Sequence, residues 1–374
     1  MVSFLLRAVV GLSTLAILTV LAWPELVGLQ NTWVVAHAVS FRGLAVAVAI
    51  ALVVLLGILL LLARPLRGTT ALLMVLLVAF GTVNAGILLH RGLGSTTTGR
   101  TDAAGTVTTD AGSAGLAADD AAAASITVLS WNTLGDEPGA AAIAELAMAE
   151  EADVLTLPET TEATGVLIAE AMRAAGRPMW VHTVSFDLIS KARSTTLLIS
   201  PDLGDYTVTS AEGSGPPGNT NVLPTVIAAP VDGEGPTIIA VHAVAPIQWE
   251  MSNWRSDLDW LAAQCTGGTA GGDGVIMAGD FNATVDHFAG RATSDGAVLG
   301  DCRDAALSAG SGAVGTWPAW APSLLGTPID HVLATPNWQV ESMHVIGTED
   351  TAGSDHRPIA ATLSATGGEN PSAD

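Results

Sequence analysis

The chain has 374 residues and a net charge of −22, yet 49% of its residues are hydrophobic and its mean hydropathy is +0.47. That pairing excludes one uniform soluble domain: residues 1–100 hold six arginines against the single acid Glu25, a balance of +5, and the remainder holds eight Lys and Arg against 35 Asp and Glu, a balance of −27. With no basic run to offset it, such an acidic part repels a phosphate backbone and disfavours, without excluding, a nucleic-acid partner.

Three apolar runs open the chain, Phe4–Trp23, Leu44–Ala63 and Ala71–Leu89. Each has about 20 residues, which at about 1.5 Å rise per residue spans a hydrocarbon core of about 30 Å, so each reads as a transmembrane helix. Arg7 lies near the start of the first, where a long side chain snorkels to the interface. A signal peptide competes for this first run, but AWPELVG is a poor cleavage site. Asn84 in the third reads as a helix–helix hydrogen bond. The loop RPLRGTT, with Arg64 and Arg67, is placed in the cytoplasm by its positive charge, together with the N-terminus. Three crossings then put everything after the third run outside the cell, although Arg91 and Arg100 oppose this orientation.

Residues 92–124 are mostly Gly, Ser, Thr, Ala and Asp and cannot bury enough surface to offset their ordering entropy, so they read as a flexible linker. The pattern then changes. ITVLSWN (Ile126–Asn132) and DVLTLPE (Asp153–Glu159) read as buried strands, with helices over Ala141–Ala152 and Val166–Gly176. Further strands are expected over Thr195–Ser200, Val222–Pro230, Thr237–Val244, Gly274–Ala278, Pro328–Leu333, Gln339–Ile346 and Pro358–Leu363, with a helix over Asn253–Gln264. Many strands with interspersed helices make two packed sheets with helices outside. Asn132, Glu159, His242, Asp280, Asn282 and Asp330 each sit at or just past a buried strand, where a rigid scaffold holds a site. Cys265 and Cys302 are compatible with one disulfide, and there is no CxxC or zinc spacing.

In chain order LSWNTLG, LTLPET, VHAVAP, MAGDFNAT, TWP…TPIDHVLAT and GSDHRPIAATL resemble the motif set of the endonuclease/exonuclease/phosphatase superfamily, over about residues 125–365. The resemblance leaves the membrane part outside it and implies a DNase I-like two-sheet sandwich with helices on its outer faces (125–365); with the three-helix transmembrane unit (1–91) and linker (92–124) read above and a disordered tail (366–374), an α+β chain is expected. The resemblance also implies a metal-dependent phosphoesterase using Mg²⁺, with Mn²⁺ as a substitute, held by Glu159 with Asn132 and Asp355. Asp280 would orient or deprotonate water, and Asn282 would hold a phosphate oxygen. Asp330 would pair with His356, and His242 would act as general acid or phosphate contact. Bland readings stand beside these: a solvated strand-end carboxylate for Glu159, turn residues for Asn132 and the Asp280–Asn282 pair, a core histidine for His242. His331 is read as a structural neighbour. Trp254, Trp260, Trp317, Trp320 and Trp338 read as core, except that TWPAWAP could place two exposed Trp at a membrane interface.

The substrate is expected to be a phosphate ester: a phospholipid head group, a nucleotide or a nucleic acid. The membrane is contacted through the three helices, and no protein partner is specified. One Lys, one Tyr and abundant Ala also fit a high-GC or salt-adapted genome, so the charge weighs only lightly; with surface anchoring it favours a phospholipid head group or an extracellular nucleotide over intact duplex DNA. The competing functions are an extracellular DNase I-type nuclease and a catalytically silent surface module.

Overall fold

The computed structural model describes residues 2–63, 66–94, 96–97, 125–186, 190–210, 223–265 and 274–366. The chain opens with helices α1 (Val2–Ala22), α2 (Trp33–Ser40), α3 (Arg42–Leu62) and α4 (Arg67–Arg91). Helices α1, α3 and α4 are long and apolar enough to cross a membrane. They meet through small residues: Gly11 faces Leu72, Gly57 faces Met74 and Gly81 faces Ala49, the close approach that helices make where water supplies no driving force. Their large side chains point outward, with Leu12 67%, Ile50 61% and Val75 65% exposed. A water-soluble bundle would do the reverse. Helix α2 was not expected; it forms because Ala36 and Val39 have a surface to bury against.

The acidic part folds as two facing sheets. The first contains β1 (Thr96–Thr97), β2 (Ser125–Ser130), β3 (Val154–Pro158), β4 (Trp180–Ser185), β5 (Ser194–Ile199), β12 (Trp338–Ile346) and β13 (Ile359–Ala365), in the order β1-β12-β13-β2-β3-β5-β4. The second contains β6 (Tyr206–Val208), β7 (Val226–Pro230), β8 (Thr237–His242), β9 (Val275–Asp280), β10 (Arg303–Asp304) and β11 (Asp330–Ala334), in the order β10-β11-β9-β8-β7-β6. Val128, Leu197, Ile238, Ile276 and Val332 fill the space between them. Helices α5 (Gly139–Ala149) and α6 (Glu162–Ala174) cover the outer face of the first sheet through Ile143 and Ile168. Helix α7 (Met251–Gln264) covers the second through Trp254 and Leu258. The central strands β3, β5 and β9 are therefore buried on both faces, which is why β3 and β9 are mainly apolar and why the Ser and Thr of β5 are buried as well. Cys265 and Cys302 form a disulfide that ties the end of α7 to the segment entering β10.

The helical unit is seated on the sandwich. Arg42 and Arg91 both grip the buried Asp286, with closest approaches of 2.7 Å each, and Arg42 also donates to Asn84 Oδ1 at 2.7 Å. Asn84 thus makes the interhelical bond expected of it. His287 Nε2 lies 3.1 Å from the Ala36 carbonyl. The first residues of the expected linker are engaged as well: Gly312 and Ala313 donate backbone bonds to Arg91 and Gly92, and β1 runs parallel to β12. Residues 98–124 and 367–374 lie outside the described residues.

Candidate active site

Strand pairing builds the centre of the site. Parallel β8 and β9 set His242 opposite Asp280, and antiparallel β9 and β11 set Asp280 opposite Asp330, so three strands of the second sheet deliver three polar side chains at one level. From the first sheet, β2 delivers Asn132 and β3 delivers Glu159. The two strand ends are joined where Thr133 N–H donates to the Pro158 carbonyl at 3.1 Å. Ser354 closes the circle. Its Oγ donates to the Asn132 carbonyl at 2.6 Å and accepts from His356 N–H at 3.0 Å.

Two of these residues have left-handed backbones, Glu159 with φ 58° and Asn282 with φ 47°. Asn tolerates this region. For Glu it costs about 1–3 kcal/mol, a strain that surrounding structure must hold and that clusters at functional sites. Gly279, one residue before Asp280, has φ 148°, and a Cβ there would stand 2.0 Å from the Val241 carbonyl oxygen. Only glycine lets β9 approach β8 closely enough for the His242–Asp280 register.

His356 Nδ1 lies 2.9 Å from Asp330 Oδ2, the expected pair, and its Nε2 faces Asp280 at 3.8 Å and Asp355 at 4.0 Å. Burial opposes charge on the ring, but Asp330 and Asp280 outweigh it and hold His356 up to about 10, so it is an imidazolium at neutral pH. Burial pushes Asp280 up to about 7, a rise that His356 limits. Burial, with His356 nearby, drives His242 down to about 3, and its neutral ring places Nε2 3.8 Å from Glu159 Oε1. Glu159 is also raised by burial, partly offset by the Asn132 amide.

Asn132 and Asn282 both turn their amides toward carboxylates. Leu134 N–H needs an acceptor and takes Asn132 Oδ1 at 3.0 Å, which turns the amide N–H groups to Glu159 at 3.3 Å and Asp280 at 3.1 Å. Asn282 clamps Asp280 from both backbone (2.8 Å) and side chain (3.2 Å), and its amide also reaches the Ala243 carbonyl at 2.9 Å. Both asparagines therefore position carboxylates in this arrangement. His331 is structural, held between Asp304 at 2.6 Å and the Ala283 carbonyl at 2.9 Å.

The donor set fits a divalent cation. Glu159, Asp280, Asp330 and Asp355 converge around one imidazolium, and among the described residues none of the four is paired with a Lys or Arg. Asp355 Oδ1 and Asp330 Oδ1 are buried without a hydrogen-bond partner. Oxygen-rich, under-neutralised sites suit hard cations such as Mg²⁺. Ligand atoms of Asp280, Asp330 and His356 also lie within 4.8 Å of one another, but that closeness comes from the Asp330–His356 hydrogen bond, which ligation by His356 Nδ1 would break. Glu159 and Asp355 have no such prior commitment to each other.

The two Trp of TWPAWAP part company: Trp320 is exposed, whereas Trp317 is half-buried, donates from Nε1 to Asp355 Oδ2 at 2.9 Å, and its ring centroid lies 6.1 Å from that of Phe41. TWP…TPIDH contained the signal, since Trp317 pairs with Thr327 just before Asp330.

A two-sheet α+β sandwich with an Asp-held imidazolium and converging carboxylates at its strand ends defines a DNase I-like hydrolase domain. The chain belongs to the endonuclease/exonuclease/phosphatase family, whose model matches residues 129–356. Similar solved structures include the endonuclease/exonuclease/phosphatase from Beutenbergia cavernae, at 20% identity and TM-score 0.47 over 64% of this chain and 72% of that one. Another, from Bacteroides vulgatus, shows 15% identity and TM-score 0.48 over 65% and 99%. D. rerio TDP2 complexed with single-strand DNA product shows 18% identity and TM-score 0.47 over 64% and 99%. No curated protein matches the chain.

Proposed function

We propose that this chain is a membrane-anchored, metal-dependent phosphoesterase that hydrolyses a phosphodiester or phosphomonoester by in-line attack of water. The observation that carries this reading is the convergence of Glu159, Asp280 and the Asp330-held His356 at one set of strand ends. Glu159 and Asp355 would hold Mg²⁺ or Mn²⁺, which when bound neutralises phosphoryl oxygens as a Lewis acid. Asp280, clamped by Asn132 and Asn282, orients the attacking water and accepts its proton, the task for which a carboxylate lifted toward neutrality is suited. His356 stabilises charge developing on phosphorus-bound oxygens, and Asp330 fixes its ring and charge. Neutral His242 is a hydrogen-bond donor to the same oxygens. A silent binding module is disfavoured because none of these positions is missing.

The sandwich is proposed to be extracytoplasmic. Arg42 and Arg91, at the sandwich end of the helices, share Asp286, whereas Arg7 and Arg67 are exposed at the opposite end. The free positive charge thus sits away from the sandwich, on the side expected to be cytoplasmic. The Cys265–Cys302 disulfide suits an oxidising compartment.

The test is turnover of bis(p-nitrophenyl) phosphate by the purified full chain with Mg²⁺ or Mn²⁺. Glu159→Ala and His356→Ala should each lower kcat by about 10²-fold or more. Full activity in both variants would sink the assignment.

A further inference from the structure

The end of the sandwich that carries the site is also the end seated on the membrane helices. The chain leaves β9 at Asp280 and within six residues reaches Asp286 in the grip of Arg42 and Arg91. On the other side of the site, the segment leading into Asp330 packs on the start of α3, with the Leu324 carbonyl against Gly43. Trp317 spans the remaining gap: one side of its ring system faces Phe41 beside α3, and its Nε1 holds Asp355 next to His356. A single side chain therefore separates the end of a span from the site.

The loops around this mouth carry apolar side chains that the fold leaves uncovered. Trp320 is 82% exposed and Trp249 78% exposed, joined by Ile247 at 38% and Leu134 at 41%. Leu134 follows Asn132 by two residues, Ile247 and Trp249 lie in the loop after His242, and Trp320 lies in the loop before Asp330. Four uncovered apolar side chains on three site loops are not the scatter of an ordinary surface. Indole rings favour the membrane–water interface, where an apolar body and a polar N–H are both accommodated.

From this juxtaposition we propose that Trp249 and Trp320 enter the head-group region of the bilayer that holds the helices, and that the substrate is the phosphoester of a membrane lipid. This rests on the phosphoesterase reading above and on the helices spanning a membrane. Charge supports it: residues 101–374, at −27, repel a polyanion arriving from solution, whereas a lipid head group is confined to the plane in which the site already sits.

The test uses the full chain in phosphatidylcholine vesicles, with two readouts. The first is quenching of tryptophan fluorescence by lipids brominated near the glycerol backbone, compared among the wild type, W249S, W320S and the double variant. The second is turnover of vesicle-borne sphingomyelin, phosphatidylglycerol and phosphatidylinositol phosphate, beside bis(p-nitrophenyl) phosphate and a single-stranded oligonucleotide in solution. Quenching should fall with each Trp removed. Turnover of the preferred lipid should drop about tenfold or more in the double variant, relative to the soluble ester. Unchanged quenching, an unchanged lipid-to-soluble ratio, or an oligonucleotide cleaved faster than every lipid would overturn the proposal. Loss of the soluble-ester activity in the wild type would instead sink the phosphoesterase reading, with the quenching arm still deciding whether the loops meet the bilayer.

Discussion

At the scale of single residues the site is governed by how burial and neighbouring charge divide labour among like groups. His242 and His356 face each other's field, and the outcome differs because Asp330 touches only His356: one ring is neutral, the other charged. Asp330→Asn removes the charge while keeping a hydrogen-bonding side chain of the same shape. His356 then loses its main source of proton affinity, and its ring can turn or choose the wrong tautomer. The expected result is a fall in kcat on bis(p-nitrophenyl) phosphate of about 10²-fold with KM changed far less, because the lost interaction is specific to developing charge. A KM rise with kcat intact would show that the pair serves substrate binding alone. A compensating device is visible at Asp280, whose two oxygens take bonds from Asn132 and Asn282. Those asparagines hold a carboxylate in a buried place where it would otherwise lose its charge.

Among the elements, what could be read from sequence follows how much of a strand is buried on both faces. β3, β5, β9 and β11 are buried along their length, each carries an apolar stretch, and they were legible together with the polar residues at their ends. β4 was not: WVHTVS lies at the sheet edge, half covered, with His and Thr paired to β5 instead of packed in the core. The three-residue β6 and two-residue β10 are defined by their partners alone. For the site, residue identities were legible from motif order, but the turn of the Asn132 and Asn282 amides toward carboxylates needed three-dimensional competition among donors. Helix α2 and Trp317 depend on contacts between parts far apart in the chain, which no local pattern records. Glycine in MAGDFN, by contrast, carries a structural demand as strict as any catalytic residue. Gly279→Ala would drive a Cβ into the Val241 backbone and force β8 and β9 apart. A loss of more than about 3 kcal/mol is expected, seen as a lowered thermal midpoint or failure to accumulate, since backbone cannot yield as a side chain can. Wild-type stability in this variant would mean that β8 and β9 are not paired in the register described.

For the whole molecule, the decisive contact is the one that fixes the sandwich to the helices. Asp286 is buried and receives two bonds each from Arg42 and Arg91. Burial works against its charge, but the two guanidinium groups prevail and hold the carboxyl well below the usual carboxylate range. A depressed folded-state value means that Asp286 stabilises the docked form fully above the unfolded carboxylate value of about 3.9, and that this contribution is lost as pH falls toward the folded value. Asp286→Ala leaves two arginines, one of them buried, without their counter-charge, and removing one partner of a buried pair costs about 3–5 kcal/mol. Much of that cost can be escaped by undocking, because both arginines lie at helix ends where water becomes accessible once the sandwich lifts. The expected outcome is therefore a sandwich that remains folded but sits loosely on the helices. Proteolysis in nanodiscs should become faster in the segment around residues 92–97, and bis(p-nitrophenyl) phosphate turnover should survive. Asp286→Glu, with a longer reach to the same guanidinium groups, should recover part of the protection. Protease resistance equal to wild type at neutral pH in Asp286→Ala would mean that apolar contacts such as Phe41–Trp317 and Ala36 on the sandwich suffice to hold the two units together, and that the ion-pair cluster adds nothing to their docking.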